Sequence, residues 1–258
     1  MFDTQSVVNL AKKAGQEVLA IYEKDFAVSN KDDASPLTEA DLASHRCIVK
    51  GLAELTPDIP VLSEESAADE TIDRLNWSRY WLIDPLDGTK EFINKNGEFT
   101  VNIALIEKHE PVFGVVHAPA LNITWWGLMG GQGAFKQNSQ EEPVPIQVRP
   151  RPHNHQDWKV VGSRSHQSDE FKAFMLQYPD AQLISMGSSI KLCLVAEGSA
   201  DIYPRLGLTS EWDTAAAHAV VEAAGGQVLQ YPDMQPLRYN TRAETLLNPY
   251  FLVCAKPL

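Results

Sequence analysis

Four apolar runs fall between Tyr80 and Met129: YWLID from Tyr80, TVNIALI from Thr100, VFGVVHA from Val112 and ITWWGLM from Ile123. Short runs rich in Val, Ile and aromatic residues, broken by Gly, Pro and Asn, are strand signals. The gaps between the last three runs are too short for a crossover, so an antiparallel sheet is expected. Gly130-Gly131-Gln132-Gly133 then reads as a hairpin turn. It is not a phosphate loop, because aromatic and polar chain follows it where a helix would be needed.

A sheet with so much apolar surface needs a helical cover. Val7, Leu10, Ala11, Ala14, Val18 and Ile21 recur at helical spacing from Asp3 onward. Thr38 is expected to open a second helix, with Asp41 as its capping-box partner, ending near Lys50 before Gly51. The stretch 137–156, with Pro143, Pro145, Pro150 and Pro152, reads as strand edge or connecting chain. It separates an α+β half, residues 1–155, from an α/β half, residues 156–258. In the latter, WKVVG, QLISM, ADIYP, GQVL and YFLVC alternate with helices expected from Ser168, Ser188 and Thr214. Nothing repeats at a solenoid period.

The chain has 258 residues, 44% hydrophobic and 22% charged, which excludes disordered and fibrous classes. Its 22 Lys+Arg against 34 Asp+Glu give a net charge of -12, without the basic footprint of a nucleic-acid or anionic-membrane binder. An anionic substrate would need recruited cations. Cys47, Cys193 and Cys254 are scattered in apolar runs and read as buried inert thiols in a reducing cytoplasm, with no disulfide framework. The opening MFDTQSVVNLAKKAG has no basic n-region and no long apolar stretch, so no leader is expected. No segment approaches the roughly 18 apolar residues of a membrane span.

The chemistry concentrates in Trp81-Leu82-Ile83-Asp84-Pro85-Leu86-Asp87-Gly88-Thr89. An apolar strand runs into a carboxylate, Pro85 is expected to fix a tight turn, a second carboxylate follows, and Gly88-Thr89 open a short helix. Carboxylates suit a hard cation such as Mg²⁺, and free helix amides suit a phosphate oxygen. The plainer reading makes Asp87-Gly88 turn chemistry and Asp84 a cap. Ser63-Glu64-Glu65-Ser66 follows another apolar run, and residues 64–91 hold eight acids against three bases. If Glu64, Asp84 and Asp87 converge, their repulsion calls for cations. Asp213, before the helix from Thr214, can serve as an N-cap, as a carboxylate aimed into a metal site, or as both. In Gly187-Ser188-Ser189-Ile190-Lys191 the serines read as N-caps. Lys191 in the first turn opposes the helix dipole unless an anion sits there. His166, after the strand WKVVG, stands where a loop contact or a cap is equally plain.

Taken in order, Thr38-Glu39-Ala40-Asp41, Ser63-Glu64-Glu65-Ser66, Asp84-Pro85-Leu86-Asp87-Gly88-Thr89 and Trp212-Asp213 with Gly225-Gly226 resemble the inositol monophosphatase superfamily of lithium-sensitive phosphatases. Lys90-Glu91-Phe92, the 187–191 stretch with Ala196-Glu197-Gly198, and Ala200-Asp201-Ile202-Tyr203-Pro204-Arg205 are similar to its bacterial 3'(2'),5'-bisphosphate nucleotidase branch. Ser63 stands where the family usually has Gly.

The resemblance implies a layered αβαβα sandwich, with a site between its halves that binds two to three Mg²⁺ ions. One ion would take Glu64, Asp84 and the Leu86 carbonyl, and another Asp84, Asp87 and Asp213. A third would lie near Glu64, largely through water. Asp41 and Thr89, beside Glu64, would position and deprotonate the attacking water. Gly88 and Thr89 amides would hold the scissile phosphate. Ser188, Lys191 and His166 would hold the nucleotide and its second phosphate.

The implied activity is removal of the 3'-phosphate of adenosine 3',5'-bisphosphate, giving AMP and phosphate, with 3'-phosphoadenylyl sulfate as a second substrate in sulfate assimilation. An inositol or sugar monophosphatase is the nearest alternative, and a non-catalytic metal-binding regulator a more distant one. Partners expected are a small nucleotide and no nucleic acid. The implied location is the cytoplasm, with the inner membrane face as a place of peripheral association.

Overall fold

The structure, a computed structural model, describes residues 2–24, 36–66, 72–131, 133–154, 157–162 and 168–256. Five layers stack as helix, sheet, helix, sheet, helix. Helices α1 (Thr4–Tyr22) and α2 (Pro36–Leu55) cover one face of a seven-stranded sheet. Its strands lie in sequence order: β1 (Val61–Ser63), β2 (Arg79–Asp87), β3 (Thr100–Glu107), β4 (Glu110–Ala118), β5 (Ile123–Leu128), β6 (Gly133–Asn138) and β7 (Val144–Ile146). The short helix α3 (Thr89–Ile93) follows β2. All neighbours are antiparallel except β1 and β2.

A second sheet orders β11–β12–β10–β8–β9, from β8 (Lys159–Gly162), β9 (Gln182–Ser185), β10 (Ile202–Arg205), β11 (Gly226–Gln230) and β12 (Phe251–Ala255). It is parallel only at β9–β8–β10, and antiparallel where β12 pairs β10 and β11. Helices α5 (Ile190–Ala196) and α6 (Ala215–Ala223) fill the space between the sheets, and α4 (Asp169–Met175) covers the outer face. Among the described residues no helix is long and apolar enough to cross a membrane.

The first sheet is covered on both faces, which explains its unbroken apolar runs. Trp81 and Ile83 of β2 point to α1 and α2, while Tyr80 and Leu82 point to α5 and α6. Helix α6 reads AAAHAVVEA because it lies backbone-close on β4 and β5. A Cβ at Gly114 would collide with the Ala216 carbonyl, and one at Gly127 would lie 2.9 Å from the Val220 Cα. The core between the sheets draws on both halves of the chain.

Several local expectations need correction. Helix α2 starts at Pro36, a residue suited to the first helical position, so Thr38 lies inside the first turn instead of opening the helix. It also runs through Gly51 to Leu55, because Gly51 is where the Leu10 side chain of α1 presses in. Pro85 makes no tight turn: β2 continues to Asp87 through a bulge. Helix α5 starts at Ile190, not Ser188, and Ser189 makes no side-chain cap. Thr214, not Asp213, is the N-cap of α6. Cys47 is half-buried on α2, while Cys193 and Cys254 are buried, and all three are free thiols.

Candidate active site

The bulge in β2 creates the site. Asp84 pairs with Asn102 and Asp87 with Thr100, so three steps on β2 oppose two on β3. In a regular strand, residues three apart face opposite sides. The extra residue turns Asp87 back to the side of Asp84. Asp84 also accepts the Leu86 amide at 3.0 Å, which holds the bulge. Ser44 of α2 donates to the Pro85 carbonyl at 2.8 Å from the other face.

Parallel pairing brings in the next acid. Ser63 lies beside Ile83, so the chain leaves β1 with Glu64 next to Asp84, and the Glu64 amide donates to the Ile83 carbonyl at 3.3 Å. Ser63 accepts from the Glu65 amide at 3.2 Å, and its hydroxyl meets His45 at 2.9 Å. Asp41, buried on α2, faces Glu64 and Glu65.

Asp213 arrives from the other half, in the turn between β10 and α6. Its carboxylate accepts the Ser210 amide at 2.9 Å and is not used as a helix cap. One carboxylate oxygen from each of Asp84, Asp87 and Asp213 lies within 4.8 Å of the others. Glu64 stands beside this trio at its solvent-exposed rim.

Crowding and burial set the electrostatics. Burial, then Asp87, Asp213 and Glu64, push the Asp84 carboxyl well above its ordinary range. Asp213 rises to about 7 through burial and Asp87. Glu64 rises to about 7 through loss of solvent around its carboxylate and the charges of Asp87 and Glu65. Asp41 rises to about 8 through burial and the glutamates, and one of its oxygens is buried without a hydrogen-bond partner. The donors are all hard oxygen ligands, and their charges are mutually unfavourable until a cation enters. They fit a bound divalent metal ion.

Against this acidic wall stands a basic one. Asp87, Gly88, Asp213, Ser188, Lys191 and Arg205 line one cavity of about 170 Å³. Lys191 is buried, with its ammonium 5.8 Å from the Tyr203 ring centroid. Burial lowers it to about 8 against the pull of Asp87. Both serines line this cavity; the Ser188 hydroxyl also accepts the Ile190 amide at the start of α5, at 3.4 Å, while Ser189 makes no cap bond. Ser189 donates its amide to Asp87 at 2.6 Å and its hydroxyl to Asn102 at 2.8 Å. Ser188 takes a positive φ of 45° that lets the chain turn beside Gly88. Gly88 is left-handed, with φ 94°, and a Cβ there would crowd Glu98, Phe99 and Ser188, each at 3.2 Å. Thr89 begins α3 and is exposed. His166 lies outside the described residues.

Thr100, Asn102 and Arg205 went unassigned in the sequence. For Thr100 and Asn102 the available signal is two polar residues at period two inside the apolar run TVNIALI, on the strand that pairs with the one carrying Asp84 and Asp87. Arg205, ending the apolar run of β10, parallels Asp84 ending that of β2.

Residues 3–252 match the profile of the Inositol monophosphatase family. The chain belongs to that family. The family is metal-dependent, and the Asp84–Asp87–Asp213 cluster is where such an ion fits. The chain is 48% identical over 251 residues to the 3'(2'),5'-bisphosphate nucleotidase CysQ of Salmonella typhimurium, covering 96% of this chain and 98% of that one. It is 38% identical over 248 residues to the protein of the same name from Haemophilus influenzae, covering 96% and 90%. A crystal structure of CysQ from Bacteroides thetaiotaomicron superposes with a TM-score of 0.86 at 42% identity, over 98% of this chain and 97% of that one. An inositol monophosphatase from Zymomonas mobilis shares the fold, with TM-score 0.77 at 22% identity over 97% and 91%. The resemblance carried by a few short motifs thus extends over nearly the whole chain, and the layered αβαβα fold is that of the family.

Proposed function

We propose that this protein is a Mg²⁺-dependent phosphatase that removes the 3'-phosphate of adenosine 3',5'-bisphosphate, giving AMP and phosphate. The phosphosulfate analogue is proposed as a second substrate, which would place the enzyme in sulfate assimilation. One observation carries the reading: Asp87 and Asp213 of the carboxylate cluster share one cavity with three cationic residues, Lys90, Lys191 and Arg205. A metal-bound monophosphate accounts for the acids alone. A second phosphate on the same small molecule accounts for the buried Lys191 and the half-buried Arg205 opposite them.

Glu64, Asp84, Asp87, Asp213 and the Leu86 carbonyl would hold two ions, with a third near Glu64. When bound, they would supply positive charge beside the oxygens on which negative charge develops as the phosphoryl group transfers. The protein's part is positional. Gly88 and Thr89 amides face the scissile phosphate at the start of α3, and Ser188, Lys191, Arg205 and His166 orient the rest of the nucleotide. The Thr89 hydroxyl aligns a water, and Asp41, whose partnerless oxygen is free to accept, takes its proton. Water oxygen bonds to phosphorus as the 3'-oxygen–phosphorus bond breaks, and the 3'-oxygen leaves as a hydroxyl, taking its proton from solvent water. Residues 1–155 then contribute most metal ligands, while 156–258 contribute Asp213 and the nucleotide contacts. The three free thiols accord with a cytoplasmic setting.

The test is phosphate release from adenosine 3',5'-bisphosphate and from inositol 1-phosphate, each with Mg²⁺, with EDTA and with added Li⁺. Mg²⁺-dependent, Li⁺-suppressed release from the nucleotide alone is the expected result. Preference for inositol 1-phosphate would remove the second-phosphate role from Lys191 and Arg205. Release unaffected by EDTA would overturn the metal assignment.

A further inference from the structure

Asp213 is the one cluster carboxylate supplied by a loop, not by a sheet strand or its immediate extension. Its own turn, closed by the Asp213 amide on the Ser210 carbonyl at 3.2 Å and the Ser210 amide on its carboxylate, is local and would move as a unit. What ties that turn to the frame is a polar cluster whose members Arg74, Glu211 and Asn240 do not line the cavity. Glu211 is 2% exposed, and its carboxylate accepts the Asn240 amide at 2.7 Å. Asn240, with no exposed surface, holds Arg74 in both directions. Its side-chain oxygen accepts from the guanidinium at 2.5 Å, and its side-chain nitrogen donates to the Arg74 carbonyl at 2.6 Å. The buried Arg74 guanidinium also donates to the carbonyls of Arg242 and Ala243, each at 2.8 Å.

Three segments therefore meet: the turn of 3₁₀ helix at Arg74–Asn76 ahead of β2, the turn carrying Asp213, and the irregular strap 239–248. The strap grips the Asp213 turn at further points. The Glu211 amide donates to the Leu246 carbonyl at 2.8 Å, and Asn248 donates to the Ser210 carbonyl at 2.8 Å and to the Thr214 hydroxyl at 3.1 Å. Burying an arginine and a glutamate is a poor route to stability, since apolar residues of similar volume would serve as well. A buried cluster whose charged and amide groups hold one another instead selects one arrangement of its segments.

We propose that Arg74, Asn240 and Glu211 are positioning residues that hold Asp213 at metal-binding distance from Asp84 and Asp87. The chain Arg74–Asn240–Glu211 references the loop-borne ligand to the segment that enters β2, the strand bearing the other two. This rests on the reading of Asp213 as a metal ligand. Partners of this kind, acting behind a ligand, typically change metal affinity by about 10–100-fold when altered.

The experiment is calorimetric titration of the metal-free full chain with Mg²⁺, and with Mn²⁺ as a second probe, in wild type, Glu211→Gln and Arg74→Lys, with melting temperatures measured alongside. Glu211→Gln keeps shape and an acceptor for the Asn240 amide but removes the charge. Arg74→Lys keeps the charge but not the forked geometry. The expected result is metal affinity at least about tenfold weaker in either variant. Excess Mg²⁺ should then restore turnover toward the wild-type kcat. Unchanged affinity in a folded variant, with only the melting temperature lowered, overturns the proposal and leaves the cluster a stability element. If one variant does not fold, the other decides. Wild-type protein that binds metal but releases no phosphate from the nucleotide would sink the functional reading and leave this one standing. Wild-type protein that binds neither ion would overturn both.

Discussion

Metal binding to this protein should depend steeply on pH between 6 and 8, because the cation must displace protons. A carboxylate of pKa about 7 is about one-tenth ionised at pH 6 and about nine-tenths at pH 8. Asp213 is such a group, raised by burial and by Asp87, and its apparent contribution to affinity therefore falls about tenfold over that interval. Glu64 also stands at about 7, but it sits at the exposed rim, where water screens part of the repulsion, so its share is smaller. Together they give a loss of between about tenfold and about a hundredfold from pH 8 to pH 6. The acids titrate as a set, so the measurable quantity is the number of protons released by the cluster. Calorimetric titration with Mg²⁺ at pH 6, 7 and 8, in two buffers of different ionisation heat, measures that number directly. About one proton or more should be released at pH 6, and fewer at pH 8. The sign for stability runs the same way. A carboxylate with a raised folded pKa costs the metal-free fold increasingly as pH climbs from its unfolded value near 4 through 7, so the metal-free melting temperature should fall over that range. Added Mg²⁺ should recover it at pH 8 more than at pH 6. Equal affinity at pH 6 and 8, with no buffer-dependent heat, would refute the argument.

Asp84→Asn should abolish turnover while leaving the fold intact, because it removes a charge from an overcrowded acidic cluster. A near-wild-type kcat with Mg²⁺ would contradict it. Lys191→Ala should weaken use of the nucleotide bisphosphate far more than hydrolysis of a simple monophosphate; equal losses in kcat/KM on both would mean that Lys191 does not read a second phosphate. Gly114→Ala should destabilise the protein by about 1–3 kcal/mol or more, as its Cβ meets the Ala216 backbone and pushes α6 off β4. Because Asp213 stands immediately before α6, the same substitution should weaken Mg²⁺ binding, and denaturant melts with a metal titration would show both effects or neither.

How much of this was legible in the sequence follows from the range of the interactions involved. Strands and helices are readable because their signals are local: the apolar runs of β2 to β5, the stripe of α1, and the start of a helix at Ser168, which the structure shows as the N-cap of α4. The acids were also readable as chemistry, since Asp84 and Asp87 follow an apolar strand with Gly88 behind them. Their convergence was not. A carboxylate three residues from another lands on the opposite face of a strand unless a bulge intervenes, and this bulge is registered against Asn102 and Thr100 on a different strand. Pro85 marked an irregularity, yet a turn and a bulge both accept proline, so the local signal could not choose between them.

Ser189 fails as a side-chain cap for the same reason, while the Ser188 hydroxyl does accept the Ile190 amide that opens α5, at 3.4 Å. Serine before an apolar helix usually bonds its own first turn. Here Asp87 and Asn102, about a hundred residues earlier in the chain, offer Ser189 better partners within a buried site. The pattern extends to Asp213, which gave up the cap of α6 to Thr214 and kept its carboxylate in the cluster. At each of these positions a residue with a strong local preference does something else, and at each the displaced group faces the cavity. Departure from local propensity is therefore itself a site signal in this chain, because burying like charges and forgoing caps both cost stability, and only a ligand that neutralises the acids returns it.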